Sequence, residues 1–219
     1  GVVRNLTCGE MADQVLTIEG DAGKKVSRVV VMGSGEPLLN YDELVKLLRL
    51  LNSPQAFNIS FRRITVSTCG IVPEIMRLAD EQMPVTLAIS LHAPKDSLRS
   101  NIMPVNRRYP ILQLLDACKY YIMKTNRRVT FEYALISGLN DTEECAGQLA
   151  NLLTGILCHV NLIPLNSVKG KPYEKSKPQQ VERFEQTLKK HGISTTVRRE
   201  MGSDIEAACG QLRRSMLTR

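Results

Sequence analysis

The residue whose surroundings most resemble a reactive site is Cys209, in the run Asp204, Ile205, Glu206, Ala207, Ala208, Cys209, Gly210, Gln211. Small neighbours leave room for a ligand to reach sulfur, and a thiol acts as a nucleophile once it is a thiolate. A packed thiol on a short helix is the ordinary alternative. Cys118 and Cys145 fall on apolar helix faces and Cys158 inside a strand, where cysteine serves as a small core residue. Cys8 and Cys69 fit either class. A second group of polar residues follows short apolar runs: Gly33, Ser34, Gly35, Glu36, Pro37; Ser67, Thr68, Cys69, Gly70; Ser90, Leu91, His92; and Asn166. Taken singly, Glu36 reads as a loop carboxylate, Ser67 as a cap and His92 as a half-buried imidazole. Their shared position at strand ends points instead to a small polar ligand lying across the strand tops. Gly33 and Gly35 begin like a dinucleotide fingerprint, but Leu38 stands where the third glycine belongs, which excludes that phosphate loop.

The elements that must hold these residues alternate in period. Thr7 and Glu10 form a capping box ahead of a helix with Met11, Val15 and Ile18 near one face. Arg28 to Met32 reads as a buried strand. Asn40 or Asp42 can cap a helix carrying Leu44, Leu47, Leu48 and Leu51, and Ile64 to Ser67 returns as a strand. Val72, Ile75, Met76 and Ala79 mark the next helix, and Val85 to Ser90 the next strand. A loop of unusual length leads to a helix with Ile111, Leu114, Leu115, Cys118 and Ile122 inward. Val129 to Leu135 follows, then a helix opened by Asp141 with Cys145, Leu149 and Leu152 inward, then a strand from Cys158 to Leu165. Val181, Phe184 and Leu188 make a last helix, stopped by Gly192. Five strands, each followed by a helix, predict a parallel α/β sheet, either doubly wound or part of a βα barrel. No linker divides the chain, so residues 1–219 read as one domain.

Composition excludes several classes. The 219 residues are 43% hydrophobic, enough for a sizeable core, yet no apolar run approaches the ~20 residues of a membrane helix. Gly1 opens the chain with neither a basic start nor an apolar signal, so the sequence reads as beginning within a longer protein. The 6 Cys form no CxxC pair and no framework spacing, which fits reduced thiols in the cytoplasm. A formal charge of +7 raises the local concentration of polyanions such as RNA. Basic doublets recur, and two groups fall in loops on the expected ligand face: Arg107 with Arg108, and Lys169, Lys171, Lys175 and Lys177 around Tyr173. With no Trp and 5% aromatics, a base-stacking platform is not supported.

Jointly, the segments Arg4-Asn5-Leu6-Thr7, Gly35-Glu36-Pro37-Leu38-Leu39-Asn40, Ser67-Thr68-Cys69-Gly70, Ser90-Leu91-His92-Ala93, Met103-Pro104-Val105-Asn106, Phe131-Glu132-Tyr133, Asn140-Asp141, Asn161 to Asn166 and Asp204 to Leu212 resemble one family. It is the radical S-adenosylmethionine (SAM) enzymes that methylate C2 of an adenine in 23S rRNA and, in many bacteria, of a tRNA adenine. The resemblance implies a partial (β/α) TIM-like barrel of radical SAM type, lacking its first strand, that holds SAM beside a [4Fe-4S] cluster. It implies SAM contacts from Gly35, Glu36, Ser67, Ser90, Leu91, His92 and Asn166, and a C-terminal segment over 193–219 carrying Cys209 as the methyl acceptor.

The ligand chemistry agrees with that assignment. A methionyl ammonium needs acceptors such as Glu36, ribose hydroxyls suit Ser and His, and an Asn amide both donates to and accepts from an adenine edge. Cys209 meets a chemical need, because adenine C2 lies between two nitrogens and is too electron-poor to attack a sulfonium methyl directly. A thiolate takes the methyl from one SAM, and a deoxyadenosyl radical from a second SAM activates it. The family's CxxxCxxC cluster motif, its N-terminal domain and its resolving cysteine lie upstream of the Arg4 segment, and this chain shows no substitute for three thiolate ligands. The chain is therefore expected not to reduce SAM by itself, and no residue here is assigned to metal. The partners implied are 23S rRNA, tRNA and an external electron donor. The rivals are a related methylase acting at C8 of the same adenine and a cluster-less RNA-binding module.

Overall fold

The computed structural model describes residues 4–32, 35–165 and 173–198. Its elements, in chain order, are α1 (Cys8–Ala22), β1 (Val29–Val31), α2 (Tyr41–Asn52), β2 (Ile64–Thr68), α3 (Val72–Asp80), β3 (Thr86–Ser90), α4 (Asp96–Ile102), α5 (Ile111–Thr125), β4 (Val129–Leu135), α6 (Glu143–Leu153), β5 (Cys158–Pro164), α7 (Pro178–Lys190) and β6 (Thr195–Val197). The strands form an open, parallel, 6-stranded sheet in sequence order. Val29 stands opposite Ile64 in the β1–β2 pair, and Val160 opposite Thr195 in the β5–β6 pair. Parallel neighbours joined by helices are what the alternating periods require. Among the described residues no helix is long and apolar enough to cross a membrane.

The chain divides into two compact units, Gly1–Ala88 with Gln113–Val129, and Ile89–Leu112 with Thr130–Arg219. In the first, Leu44, Leu48 and Leu51 of α2, Ile64 and Val66 of β2 and Ile75 and Leu78 of α3 are all buried. Each such side chain contributes roughly 1.5–3 kcal/mol through loss of apolar surface to water. In α5, Tyr121 donates from its hydroxyl to the Val85 carbonyl at 2.9 Å, so the one polar atom of a fully buried ring is satisfied. The second unit has its own core, in which the Tyr133 and Phe184 rings lie 5.2 Å apart beside Leu149, Leu153 and Leu188.

Local signals account for most boundaries. The Thr7–Glu10 capping box is formed reciprocally, and Gly192, at φ 76°, ends the chain's turn out of α7. Other expectations are corrected. β1 is not buried, since Val30 is 63% exposed on an edge strand, and Ile18 on α1 is 58% exposed. Asn40 stands at the start of α2, but its side chain donates to the Leu6 carbonyl at 2.8 Å instead of capping. Thr142, not Asp141, caps α6, and the buried face runs through Ala146, Leu149, Ala150 and Leu153, leaving Cys145 and Leu152 half-buried. Met76 points outward at 42% exposure. The long loop after β3 contains α4 and a 3₁₀ turn over Pro104–Arg107, and β6 is a strand the periodicity did not reveal because it spans only 3 residues.

Candidate functional site

In the first unit, the strand-end residues are joined by a carboxylate. Gly35 has φ 98°, a left-handed value that an L side chain would strain, and it lets the chain turn directly into Glu36. Glu36 starts the 3₁₀ turn Pro37–Asn40, where its Oε1 accepts from the Leu38 N–H at 3.1 Å. Its Oε2 accepts from the Cys69 N–H at 2.7 Å, so Glu36 ties the loop after β1 to the end of β2. Each oxygen keeps a lone pair, which suits an incoming ammonium. Gly70 turns the chain at φ 105° while its N–H donates to the Thr68 hydroxyl at 3.0 Å. Ser67 alternates with buried Val66 and Thr68, which directs it to the opposite, half-buried face of β2. An open cavity of about 590 Å³ in this unit takes Gly35, Glu36 and Asn40 as polar lining and Val15, Val31 and Leu44 as apolar lining. That volume is within the range of small-molecule sites.

In the second unit, the end of β3 is held from several sides. Leu91 and His92 donate their N–H groups to the Glu132 carbonyl of β4 at 3.0 and 3.3 Å. The fully buried Arg99 of α4 donates through Nε to the Leu91 carbonyl at 3.1 Å and through Nη2 to the Ser90 carbonyl at 3.0 Å. His92 has φ 58°, unusual for a residue with a β-carbon and costly by about 1–2 kcal/mol. Its carbonyl accepts from Asn140 Nδ2 at 2.7 Å, which offsets that strain. Asn140, fully buried, also donates to the Ala134 carbonyl at 2.7 Å and accepts from the Ile136 N–H at 2.7 Å, so both its donors and its oxygen are engaged.

The His92 ring is fixed as well. Nδ1 accepts from the Ala134 N–H at 3.0 Å, which places the proton on Nε2 and leaves an N–H donor there. Burial, with a smaller contribution from the Arg99 charge, lowers the His92 pKa to about 4. The unfolded chain binds that proton near pH 6.5 and the folded one near 4, so the stability this histidine contributes is complete above about pH 6.5. It falls away as pH drops toward 4, by about 3 kcal/mol in total. Carboxylates such as Glu10, held at about 2 by Arg4 and the Thr7 N–H, act at lower pH. Urea unfolding between pH 7 and 4.5 should show a steeper loss for the wild type than for His92→Asn, which tolerates the backbone angle but does not titrate. Parallel curves would refute the assignment.

Two holding residues escaped the sequence reading in their roles. Asn140 sits in Gly138-Leu139-Asn140-Asp141, a pattern indistinguishable from an ordinary turn, and Arg99 sits on a short helix where arginine is normally solvated. Glu132 is buried on β4, where burial raises its pKa while the Asn161 amide, donating at 2.8 Å, opposes the rise. Burial and the nearby Glu43 raise the Cys8 thiol, which keeps it protonated. Among the described residues no group of three or more His, Cys, Asp or Glu side chains could hold a metal ion, so they do not fit an iron–sulfur cluster. Asn166 and Cys209 lie outside the described residues.

The chain has relatives among known proteins. It is 56% identical over 217 residues to the probable dual-specificity RNA methyltransferase RlmN of Clostridium novyi (strain NT), covering 99% of this chain and 63% of that protein. It is 57% identical, with the same coverage, to the protein of that name from Alkaliphilus oremlandii (strain OhILAs). The chain thus spans 63% of the length of these curated relatives. The crystal structure of a radical SAM methyltransferase from Sphaerobacter thermophilus superposes with a TM-score of 0.92 at 51% identity, over 96% of this chain and 63% of that one. The family model of the radical SAM superfamily matches residues 3–148, from the start of α1's cap through both sets of strand-end residues, and the chain belongs to that superfamily.

Proposed function

We propose that the chain is the core of an RNA methyltransferase that adds a methyl group to C2 of an adenine in 23S rRNA and in tRNA. The observation that carries this reading is the 56% identity over 217 of 219 residues to proteins named as dual-specificity RNA methyltransferases, a span that takes in the Cys209 segment. SAM, the superfamily's cofactor, is held in this reading by the strand-end residues. Glu36, already oriented by two backbone N–H groups, accepts from the methionyl ammonium. His92 offers its neutral Nε2–H as a donor, Ser67 and Ser90 bind hydroxyls, Gly35 lets the backbone approach closely, and Leu91 keeps the strand end packed. Asn166 reads the adenine edge, and the Cys209 thiolate accepts the methyl group before it passes to RNA.

The superfamily's [4Fe-4S] cluster finds no ligands among the described residues, so binding SAM and carrying the methyl are the steps assigned to this chain. The reading places the enzyme in the cytoplasm with an external electron donor. The test is incubation of the full-length, cluster-loaded protein with SAM, a reductant and RNA, followed by mass spectrometry of the nucleosides. We expect 2-methyladenosine. Recovery of 8-methyladenosine would assign the protein to the C8 chemistry, and unmodified RNA that is nonetheless bound would leave a binding module without catalysis.

A further inference from the structure

Most basic side chains on the described α-helices have an acidic partner: Arg49 meets Glu81, Arg77 meets Asp42, Lys124 meets Asp80 and Lys189 meets Glu185. Among the described residues Arg107 and Arg108, like Arg62 and Arg63, have none; what sets the 107/108 pair apart is the braced turn that carries it. Both are exposed, and among the described residues neither makes an ion pair or a side-chain hydrogen bond. The aromatic neighbour of Arg108 is Tyr109, whose ring centroid lies 5.4 Å from the guanidinium carbon. The closest acid in the same loop, Asp96, is turned inward: its Oδ1 accepts from the Ile111 N–H at 2.8 Å and from Asn106 Nδ2 at 2.9 Å. Two adjacent guanidinium groups are therefore left without internal neutralisation, which is the state suited to external phosphates.

The backbone that carries them is braced. Asn106, buried at 1% exposure, donates to the Asp96 carboxylate and to the Ser100 hydroxyl, both at 2.9 Å, and accepts from Arg99 Nη1 at 2.9 Å. The same Arg99 guanidinium holds the Ser90 and Leu91 carbonyls. One buried cation thus fixes the strand end that carries Ser90 to His92 and the residue next to Arg107. The backbone at Arg108 and Tyr109 is closed by N–H donation from both to the Val105 carbonyl at 3.0 Å. Because the turn is already braced, binding orders the two side chains and adds no cost of ordering the backbone.

We propose that Arg107 and Arg108 form a phosphate clamp for the RNA substrate, locked in position relative to the SAM-binding strand end through Asn106 and Arg99. The assignment rests on the proposed RNA methyltransferase reading. Each guanidinium takes a backbone phosphate beside the target adenosine, and Tyr109 supports Arg108.

The test is a salt titration of binding between the full-length protein and an unmodified tRNA transcript. For Arg107→Ala/Arg108→Ala the slope of log K against log[salt] should fall by about 1.4–1.8, the value for two lost phosphate contacts. Affinity near physiological salt should drop by roughly tenfold. The control is Arg62→Ala/Arg63→Ala, which removes the same charge from an equally exposed doublet in the 3₁₀ turn before β2, and should leave the slope unchanged. Arg107→Lys/Arg108→Lys should retain most of the slope. Equal loss in both alanine pairs would mean a general charge effect and overturn the clamp, as would an unchanged slope in the 107/108 pair while the wild type still methylates RNA. A wild type that neither binds nor methylates RNA would instead defeat the functional reading itself, and the clamp with it.

Discussion

Cys209→Ala in the full-length protein is expected to lower RNA methylation by more than about a thousandfold, to the limit of detection, while SAM still binds. In the proposed reaction adenine C2 lacks the electron density to attack a sulfonium methyl, so without the thiolate the methyl would have no acceptor that can deliver it. The strand-end residues proposed to bind SAM, among them Glu36 and His92, are untouched by the substitution. Protein exposed to methyl-labelled SAM should carry the label on the peptide containing Cys209 in the wild type and nowhere in the variant. Methylated RNA produced by the alanine variant would remove Cys209 from the mechanism.

Asn140→Ala is expected to have the largest effect on stability among the residues near the candidate site. The wild-type amide satisfies the Ile136 N–H and the His92 and Ala134 carbonyls at 2.7 Å each, all within a fully buried environment. Alanine leaves those groups unpaired and adds a cavity, a combined cost of roughly 3–5 kcal/mol. It also frees the His92 carbonyl, so the left-handed backbone that presents Nε2–H is no longer held. Urea unfolding should show the stability loss, and SAM affinity should fall by about tenfold or more even where the protein remains folded. Asn140→Asp keeps the acceptor for Ile136 and loses both donors, so it should recover little. A variant with wild-type SAM affinity would show that Asn140 serves the fold alone.

The architecture was legible because its units are written in two unlike periods. Leu44, Leu47, Leu48 and Leu51 repeat as a helix face and Val66 alternates with Ser67 as a strand, and both end up where those periods require. Legibility failed where burial is not decided by period. β1 has the same valine-rich composition as an inner strand, yet it lies at the edge, and β-branched residues describe a pleated surface without saying whether anything covers it. The α6 face was misread by one position because Ala146 and Ala150 fill the close approach that larger residues were expected to fill.

The strand-end position of the candidate residues was legible, since glycines, serines and a histidine directly after apolar runs stand out. Their supports were not, because a buried Arg99 and a turn-forming Asn140 look like surface residues until their partners, four to forty-eight positions away, are known. Long-range partners leave no local pattern.

The exposed rim at β1 carries a consequence for handling this polypeptide. Among the described residues its 3 valines end the sheet, and Ile18 and Met32, which line the same cavity as they do, are also exposed. Greasy side chains next to unclaimed main-chain donors and acceptors form a template for strand addition, and two copies can satisfy it by zipping rim to rim. Lys24 and Arg28, just ahead of the valines, act as like-charge wardens against that union. Concentrated solutions of the isolated 219-residue chain should therefore cluster as added salt masks those charges, and a lysine in place of Val30 should keep them clear.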